Sequence, residues 1–133
     1  MSEDAALFSV EISGEHVRAL APGVDRAHLV RLVRGEVAID VEIDLHGCDE
    51  REARALVADT LAEMHLAGER CARIVHGRGR HSVAGPVLKA ALLEWLTTPP
   101  LAQSVLAFAT AGPRAGGAGA TLVLLRGARA SGA

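Results

Sequence analysis

Aromatic side chains are almost missing from this 133-residue chain: Phe8, Trp95 and Phe108 are the whole complement, with no tyrosine. That scarcity removes the stacking platform on which many single-strand RNA modules depend. Cysteine is nearly as sparse. Cys48 and Cys71 are too few for a disulfide framework and cannot build a zinc cluster unaided, so both read as small, partly buried residues. No apolar run reaches the roughly 18 residues of a membrane span. Glu3, Asp4, Glu11 and Glu15 stand where a secretory leader would be basic and then apolar, so a cytoplasmic chain with no membrane partner is expected. Lysine is limited to Lys89, and the other thirteen basic residues are arginine, whose fork matches phosphate oxygens.

What is present is ample material for one core. Half the residues are hydrophobic, 23% are charged and the mean hydropathy is +0.25, which excludes global disorder. Two independent cores would leave each below about 70 residues, so a single domain with a short extension is expected. The net charge of −2 argues against a generic nucleic-acid binder, but its distribution does not. Residues 1–69 hold fifteen acidic against six basic side chains, a charge of −9, and residues 70–133 hold eight basic against Glu94 alone, a charge of +7. A basic surface suited to phosphate, built from the second half beside an acidic one, follows.

The chain divides by pattern. Residues 1–36 read as an N-terminal extension: Leu7 to Ile12 suit a short strand, Pro22-Gly23 interrupts, and a short helix capped by Asp25 closes at Gly35. Ala38 to Leu45 alternates polar and apolar as a half-buried strand does. Asp49, with Glu52 three residues on, opens an amphipathic helix whose apolar positions are Ala53, Leu56, Val57, Leu61 and Met64, stopped by Gly68. Cys71 to Val75 is a second strand. Pro86 begins a second long helix with the stripe Leu88, Leu92, Trp95 and Leu96, ended by Pro99-Pro100. Ser104 to Ala109 and Ala120 to Leu125 complete a βαβαββ order with a mixed four-stranded sheet, in an α/β two-layer sandwich spanning residues 37–126, and 127–133 form a flexible tail. A strand, helix and strand return makes the first two strands of that unit parallel, with their C-terminal ends on one edge, where open α/β sheets place their sites.

Chemistry collects on that edge. Asp44 and His46 are two apart and so share a face at the end of the first strand, a candidate acid–base pair. A strand end followed by a glycine turn is the plainer alternative. The second strand runs into His76-Gly77-Arg78-Gly79-Arg80-His81, which brings an imidazole, close-approach glycines and guanidinium groups together just before a helix N-terminus. The spacing fits neither a phosphate-binding P-loop nor a dinucleotide fingerprint. Lys89, one turn into that helix, is placed to reach backbone phosphate or to stand exposed. Of the remaining histidines, His65 reads as surface, and His16 and His28 fall in the extension.

Together these residues resemble the Smr domain, the small MutS-related family. Asp44-Leu45-His46-Gly47, His76-Gly77-Arg78-Gly79, and the run from Trp95-Leu96 through Gly116-Gly117-Ala118-Gly119 to Leu125-Arg126 carry the resemblance in order and spacing over about residues 37–126. Leu32-Val33-Arg34-Gly35 before the first strand looks like the extension of stand-alone bacterial members. The resemblance implies a fold like the C-terminal domain of translation initiation factor three. It also implies endonuclease activity, with DNA nicking for some members and RNA cleavage for others, including messenger RNA on stalled ribosomes. Asp44 and His46 match the cleavage motif, His76 to Gly79 the loop that would hold phosphate, and Arg114, Gly116 and Gly117 a third loop, where Ala115 replaces a residue often polar in relatives.

Three functions are therefore carried forward. In the first, an RNA endonuclease, His46 oriented by Asp44 takes the proton of a ribose 2′-OH, and Arg78, the loop amides and His76 serve the phosphorane and the leaving oxygen, with no cofactor. In the second, DNA is nicked by water activated on a Mg²⁺ or Mn²⁺ held by Asp44. In the third, the chain binds nucleic acid or ribosomes without turnover, and the extension docks a protein partner.

Overall fold

The computed structural model describes residues 8–77 and 85–127. Its centre is one mixed sheet of six strands: β1 (Ser9–Ser13), β2 (His16–Leu20), β3 (Val41–Asp44), β4 (Cys71–Val75), β5 (Val105–Thr110) and β6 (Ala120–Leu125), in the order β1-β2-β5-β6-β4-β3. Among the described residues three α-helices accompany it: α1 (Arg26–Val33), α2 (Glu50–Ala67) and α3 (Gly85–Leu96). β3 and β4 are parallel, with Asp44 opposite Val75, and every other pair is antiparallel.

The α/β class and the four strands from β3 to β6 are as the sequence pattern predicts, but the sheet has six strands where four were expected. The two extra strands come from the extension. β1 and β2 form a hairpin across Gly14-Glu15, Gly14 taking φ +59 at the first turn position as a II′ turn requires, and β2 then pairs with β5. Two hydrogen bonds lock the turn to β5: the Val17 amide donates to Thr110 Oγ1 at 2.9 Å, and the Thr110 hydroxyl donates to the Glu15 carbonyl at 3.2 Å.

Helix boundaries follow local chemistry. Asp49 and Glu52 form the expected capping box at 2.8 and 2.9 Å, and Gly68 closes α2 at φ +77. Asp25 caps α1 by accepting from the Ala27 amide at 2.9 Å. β3 is shorter than the alternation suggests because Asp40 turns its carboxylate onto the amides of Arg70 and Cys71, at 2.8 and 3.0 Å, before the ladder begins. Those two donors hold the Asp40 carboxyl below the usual carboxylate range.

The core lies on both faces. Val57, Leu61 and Met64 of α2 and Leu88, Leu92 and Leu96 of α3 pack on Ile43, Leu45, Ile74, Phe108, Val123 and Leu125, with Trp95 at the edge of the same cluster. Leu56, assigned to the α2 stripe by spacing, stands 39% exposed on its flank. On the opposite face Leu29 and Leu32 of α1 cover Leu20, Leu106, Ala107, Leu122 and Leu124. An irregularity between Val105 and Ala107 turns Leu106 and Ala107 to that same side, which widens the surface α1 can bury.

Candidate nucleic-acid site

The register of the sheet decides which loops meet. Asp44 lies opposite Val75, and Val75 opposite Ala120, so the C-terminal ends of β3 and β4 and the start of β6 share one edge. The turn after Asp44, the turn after Val75 and the Gly112–Gly119 loop all open there. The Gly14-Glu15 hairpin turn reaches the same edge, because Thr110, which holds it, lies opposite Thr121.

Asp44 and His46 are both exposed. Asp44 Oδ1 accepts from the His46 backbone amide at 2.9 Å, an Asx-type turn in which the carboxylate fixes the chain rather than the ring. The imidazole is left facing solvent at the end of β3, and Gly47 at φ +82 redirects the backbone toward α2. The contact between these two residues runs through the His46 main chain, not side chain to side chain as their spacing led one to expect.

His76 is placed very differently. It is 4% exposed, its Nδ1 donates to the Gly77 carbonyl at 3.1 Å, and the Thr121 hydroxyl donates to Nε2 at 3.0 Å. Burial lowers its pKa below the ordinary histidine value; the Gly77 carbonyl opposes the shift and the Lys89 charge adds to it. A neutral ring with one proton donated and one lone pair filled satisfies both contacts. The amides of His76 and Gly77 are also committed, since both donate to the Gly119 carbonyl at 3.0 Å. These groups stitch the second loop to the third, and neither amide is free to face a phosphate. Gly77 itself takes φ +92.

In the third loop Arg114 is exposed, whereas Gly117 and Gly119 are buried. Gly116 takes φ +115, and a Cβ there would lie 2.9 Å from Ala120 Cβ and 3.1 Å from Arg73 Nη1, so glycine is required by space as well as by backbone. Arg73 is a residue the sequence reasoning passed over. From the middle of β4 its Nη1 donates to the Ala115 carbonyl at 2.8 Å while Nε and Nη2 hold Glu42 of β3. The signal was a charged residue inside an otherwise apolar strand. Lys89 likewise is not a free surface lysine: Nζ donates to the Glu15 carbonyl and, at 3.4 Å, to that of Ala118, tying the hairpin turn to the third loop. Arg78, Gly79, Arg80 and His81 lie outside the described residues, as does most of the expected tail, residues 128–133. Among the described residues no three His, Cys, Asp or Glu side chains gather to hold a metal ion, and no helix is long and apolar enough to cross a membrane.

The sequence profile of the Smr domain matches residues 43–126, which takes in all three loops. The chain belongs to the Smr domain family. Among its relatives, ribosome rescue factor SmrB of Yersinia enterocolitica is 35% identical over 108 residues, covering 81% of this chain and 57% of that protein. SmrB of Aliivibrio salmonicida is 37% identical over 109 residues, 82% of this chain and 57% of that one. The chain thus spans a little over half the length of these Smr relatives. Two solved structures share the fold. YdaL, a stand-alone small MutS-related protein from Escherichia coli, superposes with a TM-score of 0.70 at 26% identity over 95% of this chain and 98% of its own. The Smr domain of Thermus thermophilus MutS2 gives 0.57 at 34% identity, over 65% of this chain and 99% of that domain.

Proposed function

We propose that this Smr protein is an endonuclease that cleaves RNA through the 2′-OH. The observation that carries the reading is the contrast between two histidines on one sheet edge: His46 exposed on a turn fixed by Asp44, and His76 buried and bonded at both ring nitrogens. In this reading His46 takes the proton of the ribose hydroxyl, which attacks the adjacent phosphorus. The bond to the 5′ oxygen breaks and that oxygen takes up a proton, leaving a 2′,3′-cyclic phosphate and a 5′-hydroxyl. An exposed imidazole that can reach a bound ribose suits the first step. Asp44 keeps its place by setting the turn that aims His46. His76 becomes a positioning residue, because a ring already satisfied by Gly77 and Thr121 has no nitrogen to offer a leaving group. Charge on the phosphorane then falls to Arg114, with Arg78, Arg80 and His81 of the second loop as the partners the sequence supplies.

The name of the SmrB relatives makes a ribosome a reasonable place to meet such an RNA, and the exposed hairpin of the extension offers the surface for it. Hydrolytic nicking of DNA is the competing reading, in which a Mg²⁺ or Mn²⁺ would activate water and Asp44 would supply the carboxylate. End-labelled RNA and supercoiled DNA, each incubated with EDTA or with Mn²⁺, separate the two. The proposal expects RNA cut in EDTA to products ending in a cyclic phosphate; cutting of DNA alone, and only with metal, overturns it.

A further inference from the structure

Between the hairpin and α3 the surface opens into a cleft of about 290 Å³ whose described lining joins the site edge at Gly77. Ile12 and Val17 of the hairpin form one wall, Pro86 and Leu93 of α3 the other, and Lys89 stands between them. The space is roughly ten times the liquid volume of one water, enough for a single heterocycle and too little for a peptide helix. Lys89 is the chemically telling member. Its ammonium is held by two backbone carbonyls and has no carboxylate within ion-pair distance among the described residues; burial draws its pKa below the usual lysine value, and the charge of Glu15, which also lines the cleft, opposes that shift. A partly buried cation between apolar walls, with the Glu15 carboxylate beyond ion-pair distance, complements a ring that carries carbonyl oxygens.

We infer that this cleft is a subsite for one unstacked nucleobase of the bound nucleic acid, its faces against Pro86, Leu93 and Ile12 and a keto oxygen toward Lys89. The inference rests on the proposed nucleic-acid function and adds to it a device the scarce aromatics do not supply: apolar aliphatic walls sandwich a base drawn out of its stack, as aromatic rings do in other proteins. It also gives the hairpin a task, since without β1 and β2 the slot would lose one wall.

The test reads binding, not cleavage. Affinities of the full chain for a fluorescent single-stranded DNA dodecamer of thymidines and for a dodecamer of the same backbone lacking every base are compared by anisotropy. The wild type should favour the base-bearing strand by about tenfold, or roughly 1.4 kcal/mol. Ala90→Leu and Ala90→Gln, which grow from the cleft wall at an exposed position of α3 without adding an aromatic ring, should each erase that ratio while leaving affinity for the baseless strand unchanged. Equal affinity of the wild type for both strands, or a ratio that survives both substitutions in folded protein, overturns the subsite. No binding to either strand overturns it together with the nucleic-acid function. Loss of RNA cleavage in His46→Ala is a separate readout, so a failed subsite and a failed nuclease reading are distinguishable.

Discussion

Substituting Gly116 by alanine places the demand for glycine in the third loop under direct test. Gly116 stands at φ +115, ψ −9, outside the region that L-residues tolerate, at a backbone cost of about 1–3 kcal/mol. A Cβ there would also sit 2.9 Å from Ala120 Cβ, a residue with no exposure at the start of β6 and hence little room to yield. Crowding of that kind adds about 1–3 kcal/mol. Gly68→Ala is the natural comparison, because Gly68 ends α2 at φ +77 with nothing within 4 Å of its would-be Cβ, so it pays only the left-handed backbone penalty of about 1 kcal/mol. Gly116→Ala should therefore lower the unfolding free energy by about 2–6 kcal/mol, clearly more than Gly68→Ala. Urea unfolding followed by fluorescence of Trp95, the single tryptophan and 7% exposed, measures both on one probe. Equal losses for the two variants would refute the packing part of the reasoning, and a loss below about 1 kcal/mol at Gly116 would refute the backbone part as well.

Other outcomes follow from the same geometry. His46→Ala should reduce RNA cleavage by about a hundredfold or more with RNA affinity retained, measured on end-labelled RNA and by anisotropy. His76 is buried with a lowered pKa, so the unfolded chain takes up its proton first; stability should be full above about pH 6.5 and fall as the pH drops below it, and urea midpoints across that range should show the fall shrinking in His76→Gln. Arg73→Leu frees the Ala115 carbonyl and should slow RNA cleavage by about tenfold without changing the chemistry of the product ends, which chromatography of the fragments checks. EDTA should leave RNA cleavage by the wild type unchanged, and a loss restored by Mn²⁺ would move Asp44 to a ligand role.

How much was legible depends on how local the cause was. The capping box at Asp49 and Glu52, the stop at Gly68 and the burial of Leu88, Leu92, Trp95 and Leu96 are short-range matters of spacing and were readable. So was the shared edge of β3 and β4, because a helix between parallel strands leaves little choice of topology. β2 was not, since His16 to Leu20 alternates poorly and is a strand mainly because β5, far along the chain, offers it a ladder. Its nearby signal was Gly14-Glu15 between two short segments. At the candidate site, residue types pointed to the edge where the three loops meet, but type alone does not distinguish His46 from His76. The difference comes from Thr121 and the Gly119 carbonyl, in β6 and the turn just before it, more than forty residues away. Arg73, and the bonds that Lys89 makes, escaped for a related reason: each acts on carbonyl oxygens, which leave no mark on the residue alphabet.

The hairpin of residues 9–20 precedes every other strand of the sheet yet pairs only with β5, and its turn is held by Thr110, 93 residues beyond Val17. A ribosome making this protein therefore exposes β1 and β2 long before their partner strand exists, and an isolated two-stranded ribbon of this length is marginal in water. Closing so long a loop is entropically costly and delays the event. Docking of the hairpin is thus expected to be the last step of folding, so the wall that completes the cleft beside Lys89 is in place only once the whole sheet has been made.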